Sequence, residues 1–206
     1  MIKKAIIYDL DNTIYSVPSI GEKLFASLFQ QITESGEHRD SMRTIKDDIM
    51  RKPFQVVAAT HRFSDELTQK GINLLKELTY SGDIMPFSDY QEIKSIPGER
   101  FLVTTGFLNL QLSKIRGMNI EPDFMEIHII DPIASQKSKK DVFADIMVRH
   151  GYTPSEVLVI GDDPESEIQA ARELGIDTVL YDKYNLYSPT ASKYIISDFR
   201  ELGTLT

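Results

Sequence analysis

The stretch Ala5-Ile6-Ile7-Tyr8-Asp9-Leu10-Asp11-Asn12-Thr13 decides how this chain is read. Four apolar, β-branched or aromatic residues run straight into two acids. A buried parallel strand reads this way, uninterrupted along its length because both of its faces are covered. In a parallel α/β sheet, ligands bind beyond the carboxyl ends of the strands. Asp9 and Asp11 therefore fall where chemistry is done. Two carboxylates held so close repel each other, and a divalent cation is the natural counter-charge. Either acid alone reads equally well as a helix or turn cap; the pair at a strand end favours a functional site.

Working outward, similar apolar runs recur at 101–103, 127–130, 157–160, 178–181 and 194–196. Helical patterns separate most of them, over 108–116, 139–150 and 164–174. The last opens on Pro164 and closes at Gly175, a start and a stop with known preferences. Strands alternating with helices predict an α/β fold, a Rossmann-like parallel sheet core flanked by helices. Residues 17–81 break the alternation. Helical patterns cover 20–33, 41–51, a segment from Pro53, and 64–78, with no convincing strand. This predicts an all-helical domain inserted at 17–81 into a core made of residues 1–16 and 82–206.

Composition narrows the function classes. With no cysteine among 206 residues, disulfides, thiolate metal sites and cysteine nucleophiles are excluded. A net charge of -8 argues against a nucleic-acid polymer as partner, since Lys137, Lys139 and Lys140 form the only dense basic run. No apolar run approaches the roughly 18 residues that span a bilayer, and the N-terminus does not read as a signal peptide, so a cytoplasmic location is expected. The four histidines lack metal-ligand spacing. Neither a Gly-Lys-Thr phosphate loop nor a Gly-x-Ser-x-Gly elbow occurs, which leaves nucleoside triphosphatase and serine hydrolase chemistry unsupported.

A second acid pair supplies the companion to the first. The run 157–160 leads into Gly161-Asp162-Asp163. The bland reading is acids near a helix N-terminus, which the helix dipole favours. Two strands that both end in paired acids instead build an oxygen-rich site suited to magnesium. With these residues in view, the chain resembles the haloacid dehalogenase superfamily, most of whose members are phosphatases. Asp9, Asp11 and Thr13 match its first motif, and the strand ending at Thr104, followed by Thr105-Gly106, matches its second. Lys137, six residues before Phe143, matches the third, with Ser138 where proline is usual; Lys139 is the rival. Gly161-Asp162 match the fourth, with Glu167 standing where an aspartate is usual.

The resemblance implies a role for each. Asp9 is the expected nucleophile, Asp11 the general acid and base, and Thr104, Thr105 and Lys137 the groups that hold the phosphate. Magnesium is expected on Asp9, Asp162 and the main-chain carbonyl of Asp11, tuned by Asp163 and Glu167. The dehalogenases lack the acid at Asp11, because a halide leaves without a proton, so its presence points to a phosphate ester. Residues 17–81 stand where this superfamily places a helical cap. The stretch YDLDNTIY is also similar to helical-cap nucleotidases acting on pyrimidine monophosphates, while sugar phosphates remain equally open. The expected activity is hydrolysis of a small phosphate monoester through an aspartyl phosphate. A phosphomutase, or a catalytically silent binding protein, is the alternative.

Overall fold

Strand β1 (Ala5–Tyr8) is buried along its whole length because a parallel strand pairs with it on each side. The structure, a computed structural model, describes residues 3–204. Beside β1 lie β2 (Glu99–Thr105) and β4 (Val157–Gly161), with Tyr8 level with Leu102 on one side and Ile160 on the other. Outside them run β3 (Glu126–Ile130), β5 (Asp177–Tyr181) and the short β6 (Ile195–Ile196). The order is β3-β2-β1-β4-β5-β6 and every pairing is parallel. All six apolar runs of the sequence are strands. Because the three central strands point the same way, Asp9, Thr104 and Asp162 emerge side by side at one edge.

Alternation along the strands splits the core. Ile7, Phe101, Val103, Val157 and Val159 pack with Val142, Phe143 and Ile146 of α7 (Lys139–His150) and with Ala171 of α8 (Glu167–Glu173). Ile6, Tyr8, Leu102, Leu158 and Ile160 face the other way, onto Leu110 and Ile115 of α6 (Leu108–Gly117). That second cluster continues without interruption into the helices between β1 and β2.

Those helices are α1 (Pro18–Leu24), α2 (Ala26–Ser35), α3 (Met42–Ile49), α4 (Phe54–His61) and α5 (Asp65–Glu77). Ser64 caps α5 by accepting the Leu67 N–H, and Asp65 and Glu66 follow in its first turn, where the dipole favours acids. Two expectations need correction. The single helix expected over 20–33 is broken at Phe25, whose backbone leaves helical geometry (φ −96°, ψ 13°) as its ring turns into the interior. The helix expected from Pro164 begins only at Glu167. The residues before it form a turn, in which Asp163 Oδ1 accepts the Glu165 N–H and Glu167 Oε1 the Asp163 N–H. Among the described residues no helix is long and apolar enough to cross a membrane.

Candidate active site

Asp9 follows β1 directly and is 6% exposed. The side chain that meets it is Lys139, not Lys137. Lys139 Nζ donates to Asp9 Oδ1 at 2.6 Å and to Glu167 Oε2 at 2.7 Å, and is itself 9% exposed. Lys137 is exposed to solvent. The cause is local. Ser138 is the N-cap of α7: its Oγ accepts the Asp141 N–H while Asp141 Oδ2 accepts the Ser138 N–H. This reciprocal box makes Lys139 the first helical residue, aimed back at the sheet, and leaves Lys137 outside the helix.

Opposite Lys139, one oxygen each from Asp9, Asp162 and Glu167 lie within 4.8 Å of one another. Burial, together with repulsion from Glu167 and Asp9, pushes the Asp162 carboxyl well above its ordinary value. Burial likewise pushes Asp9 up to about 7, against the pull of Lys139 and with help from Glu167 and Asp11. Three hard oxygen donors short of positive charge make a set that a small divalent cation fits. Glu167 is 1% exposed, and both of its oxygens are engaged, by Lys139 and by the Asp163 N–H. Its extra methylene folds over Gly161, where an added Cβ would collide with the Glu167 carboxylate. Gly161→Ala should therefore evict this carboxylate, at a cost of about 1–3 kcal/mol; an unchanged thermal denaturation midpoint would contradict the packing.

Asp11 is gripped by three donors. Lys114 Nζ lies 2.8 and 3.0 Å from its two oxygens, Tyr15 Oη donates to Oδ1 at 2.6 Å, and Gln111 Nε2 donates to Oδ2 at 3.0 Å. Burial alone would raise Asp11, but the Lys114 charge and these hydrogen bonds leave it below the usual carboxylate range. Gln111 Nε2 also donates to Thr104 Oγ1 at 2.7 Å, so the threonine's own hydroxyl proton stays free for another acceptor. Thr104 is buried at the end of β2, and Thr105 lines the same cavity. The residues sequence reasoning missed are Gln111, Lys114 and Tyr15. A signal existed: Gln111 and Lys114 are polar at i, i+3 on the first turns after Thr104, so they share a helix face, which turns out to be the buried one.

Asn12 ties this edge to the inserted helices. It sits in the left-handed region (φ 58°), which asparagine tolerates better than most residues. Its Nδ2 donates to the Met50 carbonyl and its Oδ1 accepts the Val17 N–H. From the α3–α4 connection, the Arg51 guanidinium reaches within 3.6 Å of Asp162 and donates to Tyr187 Oη.

A profile of the haloacid dehalogenase-like hydrolases matches residues 6–181, which spans β1 to β5 and every acid of this site. The chain belongs to that family. Glyceraldehyde 3-phosphate phosphatase of Methanopyrus kandleri is 22% identical over 195 residues, covering 85% of this chain and 82% of that protein. Among solved structures, the haloacid dehalogenase-like hydrolase SP0104 from Streptococcus pneumoniae superposes with a TM-score of 0.75 at 18% identity, over 98% of each chain. The HAD hydrolase YfnB from Bacillus subtilis, solved bound to magnesium, superposes at 0.61 with 16% identity, over 100% of this chain and 99% of that one. The haloacid dehalogenase-like fold thus extends through the helices between β1 and β2.

Proposed function

We propose that this family member is a magnesium-dependent phosphatase acting on a small phosphate monoester, with residues 17–81 as its cap. The observation that carries the reading is the pairing of a buried, lysine-tethered carboxylate, Asp9, with a second carboxylate two residues on, Asp11, that is held by its own separate cation. Such a pair divides the work between a nucleophile and a proton carrier. The phosphatase relative supports a phosphate ester as substrate.

In this reading an Asp9 oxygen attacks phosphorus in line with the ester oxygen and forms an aspartyl phosphate. Lys139 steadies Asp9 and offsets charge on the phosphoryl oxygens, while Thr104 donates its free hydroxyl proton to one of them. Asp11, ionised beside Lys114, takes the proton of a singly protonated phosphate ester and passes it to the departing alcohol, and then takes one from the water that hydrolyses the acyl phosphate. Magnesium would be held by the Asp9 and Asp162 carboxylates and the Asp11 carbonyl, and when bound supplies the positive charge that three crowded acids and a phosphate lack. Asp163 and Glu167 would orient that set from behind.

The reading is tested with p-nitrophenyl phosphate. Hydrolysis should require magnesium and stop on chelation; turnover that survives the chelator would refute the metal-assisted route. Asp11→Asn should slow release of a poor leaving group by about 10²–10⁴-fold and a good one, which needs no proton, much less. Equal losses on both would remove Asp11 from the proton-transfer role. A phosphomutase would show instead as phosphoryl transfer to a second hydroxyl on the substrate in place of water.

A further inference from the structure

Beyond the phosphoryl site the cavity opens toward the inserted helices, and its walls change character. Phe25, Ile49, Met50 and Phe54 line it from the helical side, and Phe107 and Leu110 from the core side. All six are at most 9% exposed. Several of the polar side chains that share this space are already engaged within the protein. Asn12 holds the Met50 carbonyl and the Val17 N–H, while Gln111 and Lys114 hold Asp11. Lys52 pairs with Asp48, and Arg51 with Tyr187 and Asp162. Gln55 stands apart, since its buried Oε1 has no partner among the described residues.

We propose that the substrate's alcohol carries a single planar, weakly polar ring with one hydrogen-bond donor, rather than a polyhydroxylated or charged chain. The inference rests on the phosphatase reading and adds its specificity. A polyol or an amino acid brought against these walls would surrender its water without finding replacement partners, a cost of about 1–3 kcal/mol for each stranded group in proteins. A ring gains from the same surfaces, since apolar area removed from water is favourable and aromatic faces add edge and stacking contacts. Size sets a limit. The cavity measures about 130 Å³, of the order of the roughly 150 Å³ that holds one benzene molecule, so an alcohol larger than a single ring is excluded. A donor on that ring would answer the orphaned Gln55 oxygen.

The test compares benzyl phosphate and 4-hydroxybenzyl phosphate with glycerol 3-phosphate, phosphoserine and glyceraldehyde 3-phosphate, using the magnesium-loaded wild-type protein. The benzyl esters should exceed the aliphatic ones in kcat/KM by at least about tenfold, the step that apolar pockets typically yield. Equal or reversed preference would overturn the proposal. Calorimetric titration with benzylphosphonate and with 2-hydroxyethylphosphonate keeps the question separate from catalysis. Tighter binding of the benzyl compound without any turnover would uphold the specificity and sink the phosphatase reading, whereas turnover without the preference would do the opposite. Met50→Gln, close in volume, should narrow the ratio several-fold in a protein with unchanged far-ultraviolet circular dichroism. A ratio left intact there would place the ring elsewhere.

Discussion

Lys139→Met should lose most of its activity, while Lys137→Met should hydrolyse phosphate esters within about twofold of the wild-type rate, as exposed substitutions usually do. Lys139 is the buried cation between Asp9 and Glu167, 2.6 and 2.7 Å from their oxygens. Removing one partner of a buried pair strands the other charges, a loss of about 3–5 kcal/mol in stability. Loss of a positioned charge at the phosphoryl site should separately lower kcat by about 10²–10³-fold. Denaturant unfolding and steady-state kinetics on both variants check the two effects. If Lys137→Met proved the inactive one, the arrangement around α7 described above would be wrong.

On the proposed mechanism, Asp9→Asn should lower turnover by about 10⁴–10⁶-fold, the scale on which enzymes fail when a covalent nucleophile is removed. A poorly folded variant would also be inactive, so stability must separate the cases. Burial first, and then Glu167 and Asp11, raise Asp9 to about 7 despite Lys139, so in the metal-free protein the neutral form is favoured below about pH 7. The sign follows. The stability that Asp9 contributes through its raised pKa is fully present below about 3.8 and is lost as pH rises through about 7. Asparagine resembles the neutral form at every pH. Metal-free Asp9→Asn should therefore melt above the wild type at pH 8 and close to it at pH 4, and magnesium should stabilise it less than the wild type. A variant that melts lower than wild type at pH 8 would show that the charged carboxylate is a stabilising partner of Lys139 in the absence of metal.

How much of this was legible follows from how each residue is specified. Strand β1 and its two acids could be read directly, because a fully buried parallel strand writes itself as a continuous apolar run and its end is marked by the first charges. The same holds for β4 and Asp162. Lysine at position 139 was harder. Motif spacing favoured Lys137, and only the cap formed by Ser138 with Asp141 shows which lysine enters the helix. Gln111 and Lys114 were obscured because polar residues on a helix ordinarily face water; their role depends on Asp11, about a hundred residues earlier, being opposite. The break at Phe25 and the late start of α8 are tertiary effects, set by a ring seeking the interior and by a glutamate folded over Gly161, and neither has a signal in local propensity.

The central place of β1 also governs when the molecule becomes itself. Of the strands described it comes first along the chain, yet its neighbours in the sheet begin only at Glu99 and Val157. Pairings so distant along the chain are slow to form, because a long loop must be closed before any contact rewards it. On the ribosome the tetrapeptide Ala5–Tyr8 would wait, apolar and unpaired, until β2 has emerged, and its other edge until β4 has. The inserted helices, rich in local contacts, have no such delay. Birth of the enzyme should thus run in two stages, an early helical assembly and a late closure of the sheet that brings Asp9 and Asp162 together. On the proposed function, magnesium would then select for finished molecules, since its ligands meet only when the strand leading to Asp162 takes its place beside the strand leading to Asp9.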